Sequence, residues 1–164
     1  MRCTSVRLYC LTFLTLFLTV GFGSASAEQR WYLVRHFEKQ TGDDPNLTAK
    51  GHQRAAALAN YFRYIPLSEV FSTDYKRTTQ TVADIATQQN MPVTLYDPSE
   101  PSTFIQLISA QRDVLVAGHS NTIPDLVRGL GGQAEDLTEK DYGRLFIVTR
   151  IDGDVTTQSV IIPF

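Results

Sequence analysis

Val114-Leu115-Val116-Ala117 offers water no polar face, and it stops abruptly at Gly118-His119-Ser120-Asn121. A continuous apolar run this short fits a strand covered on both sides, the setting of a parallel sheet held between two layers of helices. Parallel strands need long crossovers, usually helical, so the rest of the chain should alternate strands with amphipathic segments. Trp31 to Val34 is a second such run, ending at Arg35-His36-Phe37-Glu38, and Val70 to Thr73 and Pro92 to Tyr96 read as two further strands. Between them, Thr48 suits the N-cap of a helix with Ala55, Ala56, Leu58, Ala59 and Phe62 on its apolar face and Pro66 at its end. A second helix is predicted over 74–89 with Val82, Ile85 and Ala86 inward. A short third helix runs through Phe104, Ile105 and Leu107, and a fourth from about Pro124 to Leu130, where Gly131-Gly132 stops it. Arg144 to Arg150 and Val155 to Ile162 read as strands joined by a tight turn at Asp152-Gly153. The predicted class is α/β: a three-layer α/β/α arrangement with a mostly parallel central sheet and an antiparallel C-terminal edge.

The N-terminal stretch is set apart from this pattern. Arg2 and Arg7 precede an apolar run from Leu8 to Val20, and Ala25-Ser26-Ala27 follows. A basic start, an apolar stretch of roughly a dozen residues and an A-x-A site make the layout of a cleavable secretory signal peptide. A membrane span would need about 20 apolar residues, and this run is shorter and dotted with threonine. The expected organisation is therefore a signal peptide over 1–27 and one domain over 28–164, exported to the periplasm or beyond, with no membrane span after cleavage. Cleavage after Ala27 removes Cys3 and Cys10, the only two cysteines. Cysteine catalysis, cysteine-ligated zinc and a disulfide framework are then excluded. Losing Arg2 and Arg7 takes the 15 basic residues to 13 against 17 acidic ones, a net charge of −4. With no basic block or basic stripe interleaved with aromatics, nothing points to a nucleic-acid partner.

Three strand ends carry the chemistry. The first delivers Arg35 and His36, the second leads into Arg77 at the start of its helix, and the fourth delivers His119. Parallel strands present their carboxyl ends on one edge of the sheet, where ligands of such folds bind. Two guanidinium groups offer planar forks of donors to a phosphate, and an imidazole serves as nucleophile, acid or base near neutral pH. That set fits a dianion site and phosphoryl transfer. Glu38 reads either as an orienting neighbour or as a solvated charge, and Ser120 and Asn121 either line the pocket rim or shape the turn. His52 is assigned no chemistry.

These segments resemble the motifs of the histidine phosphatase superfamily, in the branch that includes the phosphoglycerate mutases. Arg35-His36-Phe37-Glu38 is similar to its R-H-G-E signature, and Leu47-Thr48-Ala49-Lys50-Gly51 to its L-T-x-x-G helix start. Ser72 to Thr81 resembles its S-x-x-x-R-x-x-x-T segment, and Gly118-His119-Ser120 its G-H-[GS]. The four follow one another in the family's order. The resemblance implies that His36 attacks phosphorus in line and forms a phosphohistidine that water hydrolyses, while Arg35, Arg77 and His119 hold the non-bridging oxygens. It implies no metal and no organic cofactor. The substrate expected is a small-molecule or glycan phosphomonoester.

The chain also departs from that pattern. Phe37 stands where the family has glycine and is expected to put its ring beside the nucleophile, narrowing the pocket or touching the leaving group. The family's leaving-group acid lies between the second arginine and the second histidine; Glu100 is favoured here, with Asp97, or Asp125 beyond His119, as alternatives. Two other functions fit the motifs: a phosphoglycerate mutase-type transferase, and a non-catalytic domain that binds phosphate or a phospho-ligand. Metal-assisted hydrolysis by His36, Glu38 and His119 is a further rival.

Overall fold

The structure, a computed structural model, describes residues 28–164; the signal peptide expected over 1–27, with Cys3 and Cys10, lies outside the described residues. The elements follow the predicted alternation. Strand β1 (Gln29–Arg35) leads to helix α1 (Ala49–Tyr61), which a short 3-10 turn (Phe62–Tyr64) closes. Strand β2 (Glu69–Ser72), helix α2 (Lys76–Gln88), strand β3 (Val93–Leu95), helix α3 (Pro101–Ser109), strand β4 (Val114–Gly118) and helix α4 (Thr122–Gly129) come next. A hairpin of β5 (Arg144–Ile151) and β6 (Asp154–Ile161) ends the chain.

The six strands form one sheet in the order β3-β2-β4-β1-β5-β6. The pairs β2–β3, β2–β4 and β1–β4 are parallel, whereas β1–β5 and β5–β6 are antiparallel. The mostly parallel sheet with an antiparallel C-terminal edge is thus as the sequence predicts. All five residues of β4 are buried, as an apolar run in the centre of a covered sheet requires.

Side-chain alternation along the strands divides the core in two. Tyr32, Val34, Val70, Leu115 and Ala117 pack against Leu58, Phe62, Val82 and Ile85 of the α1/α2 layer. Trp31, Leu33, Phe71, Val114 and Val116 pack against Phe104, Ile108, Ile123 and Val127 of the α3/α4 layer. Each fully buried Leu or Phe contributes about 1.5–3 kcal/mol, so the two layers hold the central strands in a fixed register. The buried Trp31 indole donates to the Ile108 carbonyl at 2.8 Å, which satisfies its only polar atom. Among the described residues no helix is long and apolar enough to cross a membrane.

Helix boundaries differ slightly from expectation. α2 begins at Lys76, because Asp74 and Tyr75 complete the turn out of β2. α4 begins at Thr122, so Pro124 lies in its first turn, where a missing N–H costs nothing. Thr48 caps α1 as expected, its hydroxyl accepting from the Gly51 amide at 3.1 Å. Gly51 itself permits a close approach: a Cβ there would run into the Glu38 carbonyl. α1 therefore docks directly on the segment that follows β1.

Candidate active site

Register brings the histidines together. In the β1–β4 ladder Arg35 lies opposite Gly118, and the His36 amide donates to the Gly118 carbonyl at 2.9 Å, extending the ladder by one rung. His36 and His119 therefore leave neighbouring strands at the same level, with ring centroids 5.6 Å apart. On the other side of β4, Ser72 of β2 pairs with Ala117, which puts Thr73 beside Gly118. Arg77 enters from the first turn of α2. A cavity of about 400 Å³ is lined by His36, His119 and Arg77, with Lys39, Ser120, Asn121 and Glu139 among the other residues of its wall. A larger concavity of about 820 Å³, beyond the segment 133–138, contains no histidine.

His36 is 3% exposed, and its Nδ1 lies 2.8 Å from the Phe37 carbonyl. A carbonyl only accepts, so Nδ1 carries the hydrogen and Nε2 keeps its lone pair. Burial pushes the His36 pKa down to about 3; the Phe37 carbonyl opposes this, and Arg35, His119 and Arg77 add to it. At neutral pH the ring is neutral. A buried neutral imidazole with a fixed tautomer is chemically equipped to be a nucleophile.

The tautomer of His119 can be derived in the same way. The Thr78 hydroxyl donates to the carbonyls of Thr73 and Tyr75, at 3.0 and 2.8 Å, so its hydrogen is committed. The Thr73 hydroxyl must then be the donor in its 2.9 Å contact with Thr78 Oγ1. Thr73 has only lone pairs left for His119 Nε2, 3.1 Å away, and that nitrogen carries the hydrogen. Burial, followed by Arg77 and Arg35, lowers the His119 pKa to about 4. Both imidazoles are uncharged at neutral pH, and an incoming dianion would favour a second proton on His119, at Nδ1.

The arginines supply the positive charge. Arg35 is 1% exposed; one end of its guanidinium donates to the Thr138 carbonyl at 2.6 Å, and the Tyr142 ring lies 4.3 Å from its carbon. The Arg77 guanidinium lies 4.3 Å from the Tyr75 ring centroid. Among the described residues the Nε atoms of Arg35 and Arg77 are both buried without a partner; Arg77 lines the cavity, whereas Arg35 is not part of its wall. Two orphaned guanidinium donors beside two neutral imidazoles make a site that an oxyanion with several acceptor oxygens would complete.

Other expected residues lie elsewhere. The Phe37 ring does not border the cavity: it is fully buried in the α1/α2 core, because its amide donates to Thr81 Oγ1 and the chain turns inward there. The expectation of a ring narrowing the pocket is corrected accordingly. Glu38 points away from the cavity and takes a two-pronged pair from Arg54, at 2.7 and 3.0 Å, with Lys50 at 3.6 Å. Burial opposes its ionisation, yet the hydrogen bonds from Arg54 hold the carboxylate below its usual range. Arg54, which the sequence does not single out, also donates to the Ile162 carbonyl and so ties the end of β1, α1 and the C-terminus together.

Ser120 and Asn121 line the cavity, whereas Glu100 does not; it occupies the N-cap position of α3 while its neighbours Pro98 and Ser99 form part of the wall. The Asp97 carboxylate accepts from the Ser99 amide and hydroxyl, and Asp125 pairs with Arg128 at 2.7 Å. Glu139, which the sequence does not single out, is the one carboxylate in the wall among the described residues. Among the described residues no group of three or more His, Cys, Asp or Glu is gathered closely enough to hold a metal ion.

Residues 28–98 match the model of the histidine phosphatase superfamily, branch 1. No curated protein matches the chain in sequence. Among solved structures, the protein histidine phosphatase SixA, complexed with tungstate, superposes with a TM-score of 0.65 at 19% identity, over 81% of this chain and 97% of SixA. The phosphoglycerate mutase of Bacillus anthracis gives 0.63 at 15% identity, over 82% and 93% of the two chains. A mycobacterial glucosyl-3-phosphoglycerate phosphatase gives 0.58 at 11%, over 83% and 99%. At these identities the likeness is one of fold.

Proposed function

We propose that this member of the histidine phosphatase superfamily is a phosphatase that cleaves phosphomonoesters through a phosphohistidine on His36. The observation that carries the reading is the state of His36: buried, neutral, with Nδ1 tied to the Phe37 carbonyl and Nε2 free, amid two buried guanidinium groups whose Nε atoms have no partner. In the first step Nε2 attacks phosphorus as the ester P–O bond breaks. Arg35 and Arg77 hold the equatorial oxygens, where charge is greatest in the transition state, and His119 donates to one of them once the dianion has raised its proton affinity. In the second step water attacks the phosphohistidine, the N–P bond breaks and inorganic phosphate leaves. Of the groups invoked, His36, His119 and Arg77 line the cavity, and Arg35 is buried next to His36 with its guanidinium against Glu139 of the wall.

The same reading includes export: the signal-like layout of residues 1–27 supports a substrate met outside the cytoplasm. The test is a single-turnover reaction of the protein without residues 1–27 with 4-nitrophenyl phosphate, wild type beside His36→Ala. A phosphoryl adduct on the acid-sensitive nitrogen, seen by mass after a rapid neutral quench, and phosphate release in wild type alone are expected. Phosphate binding with no turnover in either protein would sink the enzyme reading and leave a phosphate-binding domain.

A further inference from the structure

We propose that Glu139 is the acid that protonates the leaving oxygen, an inference that rests on the phosphatase reading above. Cleaving an ester of an ordinary alcohol expels a poor leaving group unless a proton arrives as the P–O bond breaks. Among the described residues Glu139 is the only carboxylate lining the cavity, which it shares with His36. The side chains of Asp97 and Asp125 are engaged elsewhere, and Glu100 lies outside the wall.

Glu139 is held there by a built turn. The Thr138 amide and hydroxyl both donate to Asp141 Oδ2, at 2.7 and 2.6 Å, and the Asp141 amide donates back to the Thr138 carbonyl at 3.1 Å. The Lys140 amide donates to Thr138 Oγ1 at 3.2 Å. This closed turn is latched to the site because Arg35 donates to the same Thr138 carbonyl and lies against the Tyr142 ring. Glu139 sits at its tip, one carboxylate oxygen 3.0 Å from Arg35 Nη2.

The contact with Arg35 sets the order of events. In the free protein burial opposes ionisation of Glu139, but Arg35, Lys39 and the imidazole of His36 outweigh it and keep the carboxyl group below its usual range. Its side chain is 72% exposed, so the pair with Arg35 is worth little and yields easily to a better anion. A phosphate dianion that takes the Arg35 edge leaves Glu139 beside two negative charges in place of a cation. Its proton affinity rises and it takes a proton from solvent. When Nε2 of His36 forms the N–P bond, that proton passes to the departing oxygen and an alcohol leaves. The carboxylate then accepts a proton from the water that cleaves the N–P bond, which restores the acid.

The experiment compares 4-nitrophenyl phosphate, whose leaving group needs no acid, with 4-nitrobenzyl phosphate, which is similar in size and expels an alkoxide. The readout is the ratio of kcat/KM on the benzyl ester to kcat/KM on the aryl ester. This ratio reports only the step that breaks the ester P–O bond and not the hydrolysis of the phosphohistidine common to both. Glu139→Gln should lower that ratio about 100-fold, the usual scale of a lost general acid. Asp141→Ala, which loosens the turn but keeps Glu139, should lower it about 10-fold. An unchanged ratio in Glu139→Gln, or a rise in kcat/KM on both esters, would overturn the proposal, the latter making Glu139 a mere competitor for Arg35. Wild-type protein is assayed for the His36 adduct alongside. An adduct with an unchanged ratio defeats this inference alone, and the absence of an adduct with either ester defeats the phosphatase reading beneath it as well.

Discussion

Lowering the pH from 7 to 5 should remove about 3 kcal/mol of stability from the free protein, almost all of it through two histidines. Burial holds the folded pKa of His36 down to about 3 and that of His119 to about 4, against 6.5 in the unfolded chain. A depressed folded value means that, below pH 6.5, the unfolded chain binds a proton the folded protein refuses. Stability is therefore present above 6.5 and falls with pH until the folded values are passed. At pH 5 the unfolded imidazole is about 1.5 units below its pKa, which favours unfolding by about 2 kcal/mol for His36 and by roughly a tenth of that at pH 7. His119 is more open to solvent, and half that value, about 1 kcal/mol, is assigned to it. The carboxyl groups of Glu38, Glu139 and Asp141 are held below their usual range, so they remain ionised at pH 5 and their share is lost only in stronger acid. Urea unfolding followed by the fluorescence of Trp31 at pH 7, 6 and 5 measures the drop. In His36→Asn the drop between the two ends should shrink by about 2 kcal/mol, and any cost of the substitution that does not depend on pH cancels. A wild-type stability that is flat from pH 7 to 5, or an equal drop in the variant, would refute the claim that these rings are buried and neutral.

Two further predictions concern residues that hold the site without lining its reaction path. Arg54→Met should cost about 3 kcal/mol, because it leaves Glu38 without its main partner and frees the Ile162 carbonyl; adding Glu38→Gln should recover part of that loss. Thermal or urea unfolding checks it, and a cost below about 1 kcal/mol for the single variant would contradict the pairing. Thr73→Val removes the acceptor that fixes His119, and a hydrogen bond to a group that becomes charged is worth about 1.5–3 kcal/mol. Inhibition by inorganic phosphate should therefore weaken at least about 10-fold, and the loss of a fully buried hydroxyl that holds two hydrogen bonds should cost about 1–3 kcal/mol of stability as well. Unaltered phosphate inhibition would show that Thr73 does not position the ring.

What the sequence reveals and what it conceals follows from the distance over which each feature is decided. Val114 to Ala117 is legible as a doubly covered strand because burial on both faces is written into four consecutive side chains. Thr48 is legible as a cap because a cap is a matter of three residues. Arg35, His36 and His119 come together because each follows directly on a strand, and two adjacent parallel strands in register bring their ends to one level. Arg77 is carried there by the helix that follows β2, at the next position along the same sheet edge. Thr73, Arg54 and Glu139 act through partners 46, 108 and 104 positions away, the last being 139 − 35, and no local pattern encodes such pairings. For Glu139 a weak local signal did exist: Thr138 and Asp141 stand three apart, the spacing of a side-chain-closed turn, in a stretch with no strand or helix pattern. Phe37 misleads for the opposite reason. Its position in a motif suggests a pocket residue, but the chain bends after His36 to bring the Phe37 carbonyl back to Nδ1, and that bend turns the ring into the core. The bend that brings the Phe37 carbonyl to Nδ1, held by the bond from the Phe37 amide to Thr81 Oγ1, thus also keeps the ring out of the cavity. A large residue can therefore occupy a position next to the reactive histidine without narrowing the space in front of it.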